Sequence, residues 1–550
     1  MGGLVPAEGD RPKFAQLYIH DTQNEVQNRM NFFPTDPEAN PLREDIVQGL
    51  KEMLDNNNIL VQTFRSARDR IMDRDLEQVH VKLCARRIGD GREYELPTGN
   101  EIAALIVDDA GQNSFEPDII VQQQSSELQR ISLYHPSLMA LQYPILFPFG
   151  EDGWHPNIEQ CPELDEDNEK EPKMVSQCDY YSYRLQTRFD QSNSLLLAGK
   201  LLQQYVVNAY ALVEAERLDW IRNNQSKLRR HYYSGLVDSF LRGDTDLKLT
   251  GQHIILASTH TGSPRYKYEN FQDAMAICRW TGYPDLFITF TCNANWPEIQ
   301  FMVDIIKANG RKDYNRADVI ARVFRLKLLQ LMLEIRDKQI FGKTSGYVHA
   351  IEFQKRGLPH AHILVFLAAE DKPATPTEID SIISAEIPDQ NLDPEGYNAV
   401  TSFMIHGPCG PSSPNAQCMK NGICTKHFPK QFCTQTTIDE NGFAKYRRQD
   451  TGTVTVNRTE VDNRYVVPYN RYLLLRFGAH INVEFCNRSR AIKYLFKYIN
   501  KPADRATSTL VGNQISNTNT QVSDSSAGAR HIDEVKAFLD CRYVTAREAC

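Results

Sequence analysis

Ile351-Glu-Phe-Gln-Lys-Arg-Gly-Leu-Pro-His-Ala-His-Ile-Leu-Val-Phe-Leu367 is the stretch whose reading decides the fold. Tyr347 to Phe353 and His360 to Leu367 are apolar-rich and of strand length, and they flank a Lys-Arg-Gly turn at 355–357. That pattern predicts an antiparallel hairpin. In a strand, alternate side chains share a face, so His360 and His362 point one way while Ala361, Ile363 and Val365 point the other. Two imidazoles at i, i+2 can hold one divalent ion when the neighbouring strand adds a third ligand. The hairpin partner offers Glu352 and Gln354 on one face. Glu352 is favoured, because a hard cation such as Mg²⁺ or Mn²⁺ prefers carboxylate oxygen. The competing reading is that the two histidines are satisfied polar groups on a strand.

Outward from the hairpin, Leu286-Phe-Ile-Thr-Phe-Thr291 alternates like another strand. Asn193 to Arg230 and Arg316 to Lys338 carry helical apolar periodicity with few breakers. Further upstream, Arg43 to Leu54 reads as helix and Gln78 to Cys84 and Ile119 to Gln122 as strands, followed by the aromatic, proline-rich Tyr143-Pro-Ile-Leu-Phe-Pro-Phe-Gly150. The class is α+β. The expected organisation is an N-terminal accessory region at 1–150, an acidic linker at 151–175 and a main region at 176–505 with an insertion at 401–435. A Ser/Thr/Asn-rich flexible insertion at 506–530 and a segment at 531–550 that begins a helix follow. The chain then stops without a cap, as a piece of a longer protein would.

The 550 residues are 41% hydrophobic and 24% charged, an ordinary globular balance. No run of roughly 18 apolar residues exists, which excludes a transmembrane helix. The first residues lack the apolar core of a secretory leader. The formal net charge of −8 conceals two opposed regions. Glu151 to Lys173 has nine acids and two lysines, whereas Lys445 to Arg505 has thirteen Lys or Arg against five acids. The second, which includes Arg447 and Arg448, is what a polyanion would meet.

Twelve scattered cysteines do not make a disulfide scaffold for this length and fit a reducing compartment. Four of them fall between 409 and 433, however. His406, Cys409, Cys418 and Cys424 supply four borderline-soft ligands in a Gly/Pro/Asn-rich stretch that burial could not order. A structural Zn²⁺ is the expected staple, with His427 or Cys433 as substitute ligands.

Ile492-Lys-Tyr-Leu-Phe-Lys-Tyr-Ile-Asn-Lys501 reads as a helix whose apolar stripe is Ile492, Leu495, Phe496 and Ile499. Tyr494 and Tyr498 are i, i+4 neighbours on another face, beside the row Lys493, Lys497 and Lys501. Because other residues fill the core stripe, the phenols are candidates for attack on a phosphodiester, with the lysines holding phosphates and favouring phenolate. Phe341-Gly-Lys-Thr344 mimics the end of a phosphate-binding loop, but Asp337 stands where the first glycine belongs and a strand follows.

These residues together resemble the Rep portion of Helitron rolling-circle transposases, the helitron helicase-like proteins. The likeness is carried by Phe14-Ala-Gln-Leu-Tyr-Ile-His-Asp21, His135 to Pro144, Gly262-Ser-Pro-Arg-Tyr266, Asp273 to Arg279, Phe287 to Asn293 with Trp296-Pro-Glu298, Ile351 to His362, His406-Gly-Pro-Cys-Gly410, Val467-Pro-Tyr-Asn470, Ala491 to Lys501 and Asp540-Cys-Arg-Tyr543. The resemblance implies an HUH endonuclease: an antiparallel sheet flanked by helices, metal on His360 and His362, and Phe287 to Thr291 on the central strand. It implies Tyr494 and Tyr498 as paired catalytic tyrosines that cut single-stranded DNA at transposon ends, leaving a 5′-phosphotyrosine and a free 3′-OH. DNA binding is assigned to Lys493, Lys497, Lys501, Arg447 and Arg448, and the nucleus follows from the substrate. Relatives carry a helicase domain further along, which this sequence does not reach, so no ATPase or helicase activity is expected of it alone. Arg471 stands where many relatives have proline. The alternative is a transposon-derived DNA-binding remnant without catalysis.

Overall fold

The computed structural model describes residues 6, 11–12, 14–31, 42–73, 80–83, 103–106, 119–122, 132–160, 173–188, 194–230, 254–308, 316–353, 358–407, 409–410, 413–439, 444–456, 458–486, 533–539, 542 and 544–550. Tyr494, Tyr498, Lys493, Lys497, Lys501, Gln354 and the 506–530 insertion lie outside the described residues, as does most of the acidic run. The chain divides into two compact units, Met1–Glu216 and Arg217–Cys550. Both helices and antiparallel strands are present, so the class is α+β as expected. Among the described residues, no helix is long and apolar enough to cross a membrane.

The first unit contains helices α1 (Glu44–Asn57) and α2 (Ile59–Asp73) and a small antiparallel sheet. Its strands are β1 (His80–Leu83), β2 (Ala103–Ile106) and β3 (Ile119–Gln122), in the order β2-β1-β3. Of these, β2 escaped the sequence reading. Asn58 joins α1 to α2: its side chain accepts from the N–H groups of Leu60 and Val61 and donates to the Phe147 carbonyl. The aromatic stretch at 143–150 is a core element. Tyr143, Leu146 and Phe147 are buried, and Tyr143 and Tyr181 pack edge-on against the fully buried Tyr205. Tyr205 belongs to α3 (Lys200–Asn223), which starts seven residues later than expected because 194–199 form turns.

The second unit is built on a four-stranded antiparallel sheet. Its strands are β4 (Leu286–Thr291), β5 (Thr344–Glu352), β6 (His360–Leu367) and β7 (Ile481–Phe485), in the order β7-β4-β6-β5. The predicted hairpin is present, with Glu352 opposite His360 and Ala350 opposite His362. The alternation of β4 is what buries it: Leu286, Ile288 and Phe290 are fully buried and the residues between them are not. Ala361, Ile363 and Val365 of β6 and Ile481 and Val483 of β7 share that buried face.

Helices α5 (Pro297–Ala308) and α6 (Ala317–Arg336) contribute to the core on this face. In α6, Phe324, Leu328, Leu331 and Ile335 recur at helical spacing and are all buried. Among the described residues, the opposite face is only partly covered. Helix α4 (Pro264–Thr281), capped by Ser263 accepting from the Tyr266 N–H, packs Ala274, Ile277 and Cys278 on Phe287, Val348, Leu364 and Phe366. Gly346 permits this approach, since a Cβ there would lie 3.2 Å from Ile277 Cγ2. Helix α7 (Pro376–Ile382) opens on a capping box at Thr375, and α8 (Pro394–Phe403) is capped by Asp393. Helix α9 (Arg471–Phe477) leads into β7 through Gly478, whose φ of +52° suits glycine. Arg471 occupies the first position of α9, where proline is also well suited.

Candidate active site and metal centres

Beyond the cover of α4, the same sheet face turns polar. The register sets Glu352 opposite His360, His360 opposite Thr291, and His362 opposite Thr289, which faces Asn482. Thr291 also receives its edge partner here, its N–H donating to the His480 carbonyl at 3.0 Å. All of these side chains are partly buried. Backbone bonds pin this end of the sheet. The Cys292 N–H donates to the Pro359 carbonyl at 3.0 Å, and Asn293 Nδ2 donates to the Gly478 carbonyl at 2.7 Å.

Each histidine is held through its δ nitrogen. Thr291 Oγ1 lies 3.2 Å from His360 Nδ1, and Thr289 Oγ1 lies 3.3 Å from His362 Nδ1. The His362 ring stacks on Phe287 with an interplanar angle of 4°. Its Nε2 lies 3.2 Å from a Glu352 carboxylate oxygen. If both δ nitrogens carry hydrogen and donate to the threonines, both ε nitrogens present lone pairs. His362 then faces Glu352 acceptor to acceptor, an arrangement that a bound cation satisfies. The separation is close to the roughly 3 Å between adjacent ligands in octahedral coordination by a small divalent ion. In the other tautomer, Nε2–H donates to the carboxylate directly. Burial, reinforced by the neighbouring His362, lowers the His360 pKa against the pull of Glu352, which keeps its lone pair available near neutral pH. Burial, followed by the proximity of His360, pushes His480 down to about 4.

The second centre is tighter. Donor atoms of His406, Cys409, Cys418 and Cys424 all lie within 4.8 Å of one another. Among the described residues, this is the one His/Cys/Asp/Glu group that closes so far; Glu352, His360 and His362 do not. The spacing suits tetrahedral zinc, for which Zn–S bonds of about 2.3 Å place ligands roughly 3.8 Å apart. The local sequence explains the convergence. Asn421 and Gly422 take positive φ between the two-residue strands Met419–Lys420 and Ile423–Cys424, as a tight hairpin turn requires. The Thr425 N–H closes the loop on the Cys418 carbonyl at 2.7 Å, and the His406 ring stacks on Phe428 with centroids 4.2 Å apart. Burial and the adjoining Cys424 and Cys418 push the Cys409 thiol up to about 12. Burial also works upward on Cys424, but the N–H groups of Phe428 and Lys426 and the adjoining thiols outweigh it and lower its pKa. The substitutes do not join: Cys433 Sγ donates to the Gln435 carbonyl, and His427 is outside the group.

Residues 180–365 match the family model for the Helitron helicase-like domain at the N-terminus. The chain carries a Helitron helicase-like domain. This links it to transposase-related DNA processing. No curated protein matches the chain. The Helitron-like match contains β4, β5, Glu352 and both histidines and ends inside β6. The His/Cys cluster and β7 follow it in the chain.

The two arginines assigned to DNA have different environments. Arg447 is partly exposed and pairs with Glu386 at 3.1 Å. Arg448 is buried, 4% exposed, and its guanidinium donates to the carbonyls of Asn463, Val466 and Ala385. A DNA-binding role for Arg448 is therefore corrected to a structural one, since its charge is spent within the fold. The bridge between Cys433 and Arg448 explains the pair: neighbouring residues in extended backbone face opposite ways. Thr289, Thr291, His480 and Asn482 are site residues that sequence reasoning missed. Threonines alternating with apolar residues along Leu286–Thr291 were the available signal for two of them.

Proposed function

We propose that the chain is a metal-dependent endonuclease and strand transferase for single-stranded DNA, of the HUH type, from a Helitron-like rolling-circle transposase. The observation that carries this reading is the pair His360 and His362 on one sheet face, each with its δ nitrogen at a threonine hydroxyl and with Glu352 beside His362 Nε2. The four-stranded antiparallel sheet, with the histidines on an interior strand and helices on both faces, supports the same reading. A hard divalent cation such as Mg²⁺ or Mn²⁺ fits two imidazoles and a carboxylate, and when bound it supplies positive charge to polarise a scissile phosphate.

The chain's own residues supply the remainder. Thr289 and Thr291 fix the ring orientations. Tyr494 or Tyr498 supplies the nucleophile, its phenolate oxygen attacking phosphorus in line with the departing 3′ oxygen. The P–O3′ bond breaks, the 3′ oxygen takes up a proton, and the 5′ side remains as phosphotyrosine. A free 3′-OH reverses these steps on another strand, so joining needs no ATP. Two tyrosines allow two successive cleavages. The His/Cys cluster would hold zinc as a structural staple, and the work would take place in the nucleus, where such DNA resides.

The test is a covalent adduct. Purified chain with labelled single-stranded oligonucleotide and Mn²⁺ should give a labelled protein band on a denaturing gel. That band should disappear in His360→Ala and in the Tyr494→Phe/Tyr498→Phe double variant. DNA binding without any adduct under these conditions would refute cleavage and leave a binding module.

A further inference from the structure

The cluster that gathers His406, Cys409, Cys418 and Cys424 also shapes a surface. From His406 to Ile438 there is no Asp or Glu, and Lys420, Lys426 and Lys430 supply the formal charge. Lys420 and Lys426 are exposed. Two aromatic rings in the same stretch lie under cations. The Lys430 ammonium sits 4.9 Å from the Phe428 centroid, and the Arg464 guanidinium 4.7 Å from that of Phe432. Phe432 is 39% exposed, although Phe428 beside it in sequence is used to pack His406. The Lys430 N–H donates to the Arg464 carbonyl, so the two cation–ring pairs lie on adjoining backbones.

This surface is tied to the β7 edge of the sheet. The His406 N–H donates to the Tyr465 carbonyl, the Val467 N–H to Met404, and the Val483 N–H of β7 to Pro468. The module is therefore tied through backbone bonds to the sheet that carries the histidines. A surface with exposed lysines and an exposed ring beneath a guanidinium, which is itself held by Asp462 at 2.7 Å, matches the needs of an unpaired strand: cations track phosphates, and a ring offers a stacking platform to a base. A duplex, whose bases are already stacked, has no use for the ring.

We propose that the His/Cys-cluster module grips the single-stranded substrate, with Phe432 and Arg464 stacking a base and Lys420, Lys426 and Lys430 contacting successive phosphates. This rests on the reading that single-stranded DNA is the substrate. The test uses the full chain with zinc and no Mg²⁺ or Mn²⁺, and a fluorescent oligothymidine in anisotropy titrations at several salt concentrations. Phe432→Ala should weaken binding roughly tenfold, as loss of one stacked base does, whereas Phe432→Trp should preserve it. Lys420→Ala with Lys426→Ala should lower the salt slope by about 1.4, or about 0.7 per contact on single strands. Zinc content equal to wild type certifies that the module is folded in each variant. Wild-type binding with unchanged affinity and slope in the variants overturns the grip and leaves the substrate reading standing. No binding by the wild-type chain overturns both.

Discussion

Replacing Thr291 by Val tests the site where its geometry is most specific. The change deletes one hydroxyl and keeps a β-branched side chain suited to an interior strand. The backbone bonds at this point, Thr291 N–H to His480 and Cys292 N–H to Pro359, do not involve the hydroxyl and remain. What disappears is the oxygen 3.2 Å from His360 Nδ1. Without that acceptor the Nδ1–H tautomer loses its partner, and the ring is free to turn its ε nitrogen away. Loss of such an orienting partner typically weakens metal binding about 10- to 100-fold, or about 1.4–2.7 kcal/mol. The contact is longer than the usual O···N distance, so the effect should fall near the tenfold end. Mn²⁺ binding to zinc-loaded chain, followed by calorimetry or by loss of the free-ion paramagnetic signal, reads this directly and needs no DNA. Thr289→Val should act similarly through His362. If Thr291→Val binds Mn²⁺ within twofold of wild type while His360→Ala does not bind it, the threonine does not orient the ligand and the argument fails.

Other sites give independent checks. Arg448→Met should cost about 3–5 kcal/mol in denaturant unfolding of the second unit, because the carbonyls of Asn463, Val466 and Ala385 lose a buried charged donor; normal stability with loss of DNA affinity would instead make Arg448 a DNA contact. Cys418→Ser, or a strong chelator, should release zinc and make 406–433 protease-sensitive, since binding on the order of 10 kcal/mol is lost from a segment with little apolar burial; purified chain without zinc would count against the staple. Arg471, followed by the Gly396 N–H, holds Asp393 down to about 2, well below the usual carboxylate range. Its contribution is therefore full above about pH 4 and is lost as pH falls through 2. Near the surface it amounts to about 1 kcal/mol or less. Asp393→Asn, which can still cap α8, should flatten the acid limb of the unfolding midpoint by that amount, and an unchanged limb would show the pair to be inert.

The parts of the site legible in the sequence are those that depend on local period or local density. Two-residue periodicity places His360 and His362 together, and four cysteines in 25 residues mark the second cluster. The threonines that hold the histidines come from a strand 69 and 73 residues away, and only pairing reveals that they meet. His480 reaches the site through an edge strand that follows the whole His/Cys module. Arg447 and Arg448 show the limit of charge counting: adjacent, identical residues have opposite fates because extended backbone turns one outward and one inward. The tyrosine helix rests on sequence periodicity, since it lies outside the described residues.

The histidine face also explains how such a site is held rigid by the sheet itself. Along β6, the residues on one face are His360, His362, Leu364 and Phe366, and the change from polar to apolar occurs in a single step of about 7 Å. Leu364 and Phe366 lie under α4, and Ala361, Ile363 and Val365 lie in the main core on the other side. A one-residue slip would drive both imidazoles into that core and expose the apolar set, so the register is specified by burial at positions that never touch substrate. The donors at the polar end inherit this constraint through a strand already fixed at the end packed against α4. Positioning at the sub-ångström level, which metal-assisted chemistry on a phosphate needs, is easier to maintain on such a strand than on a loop.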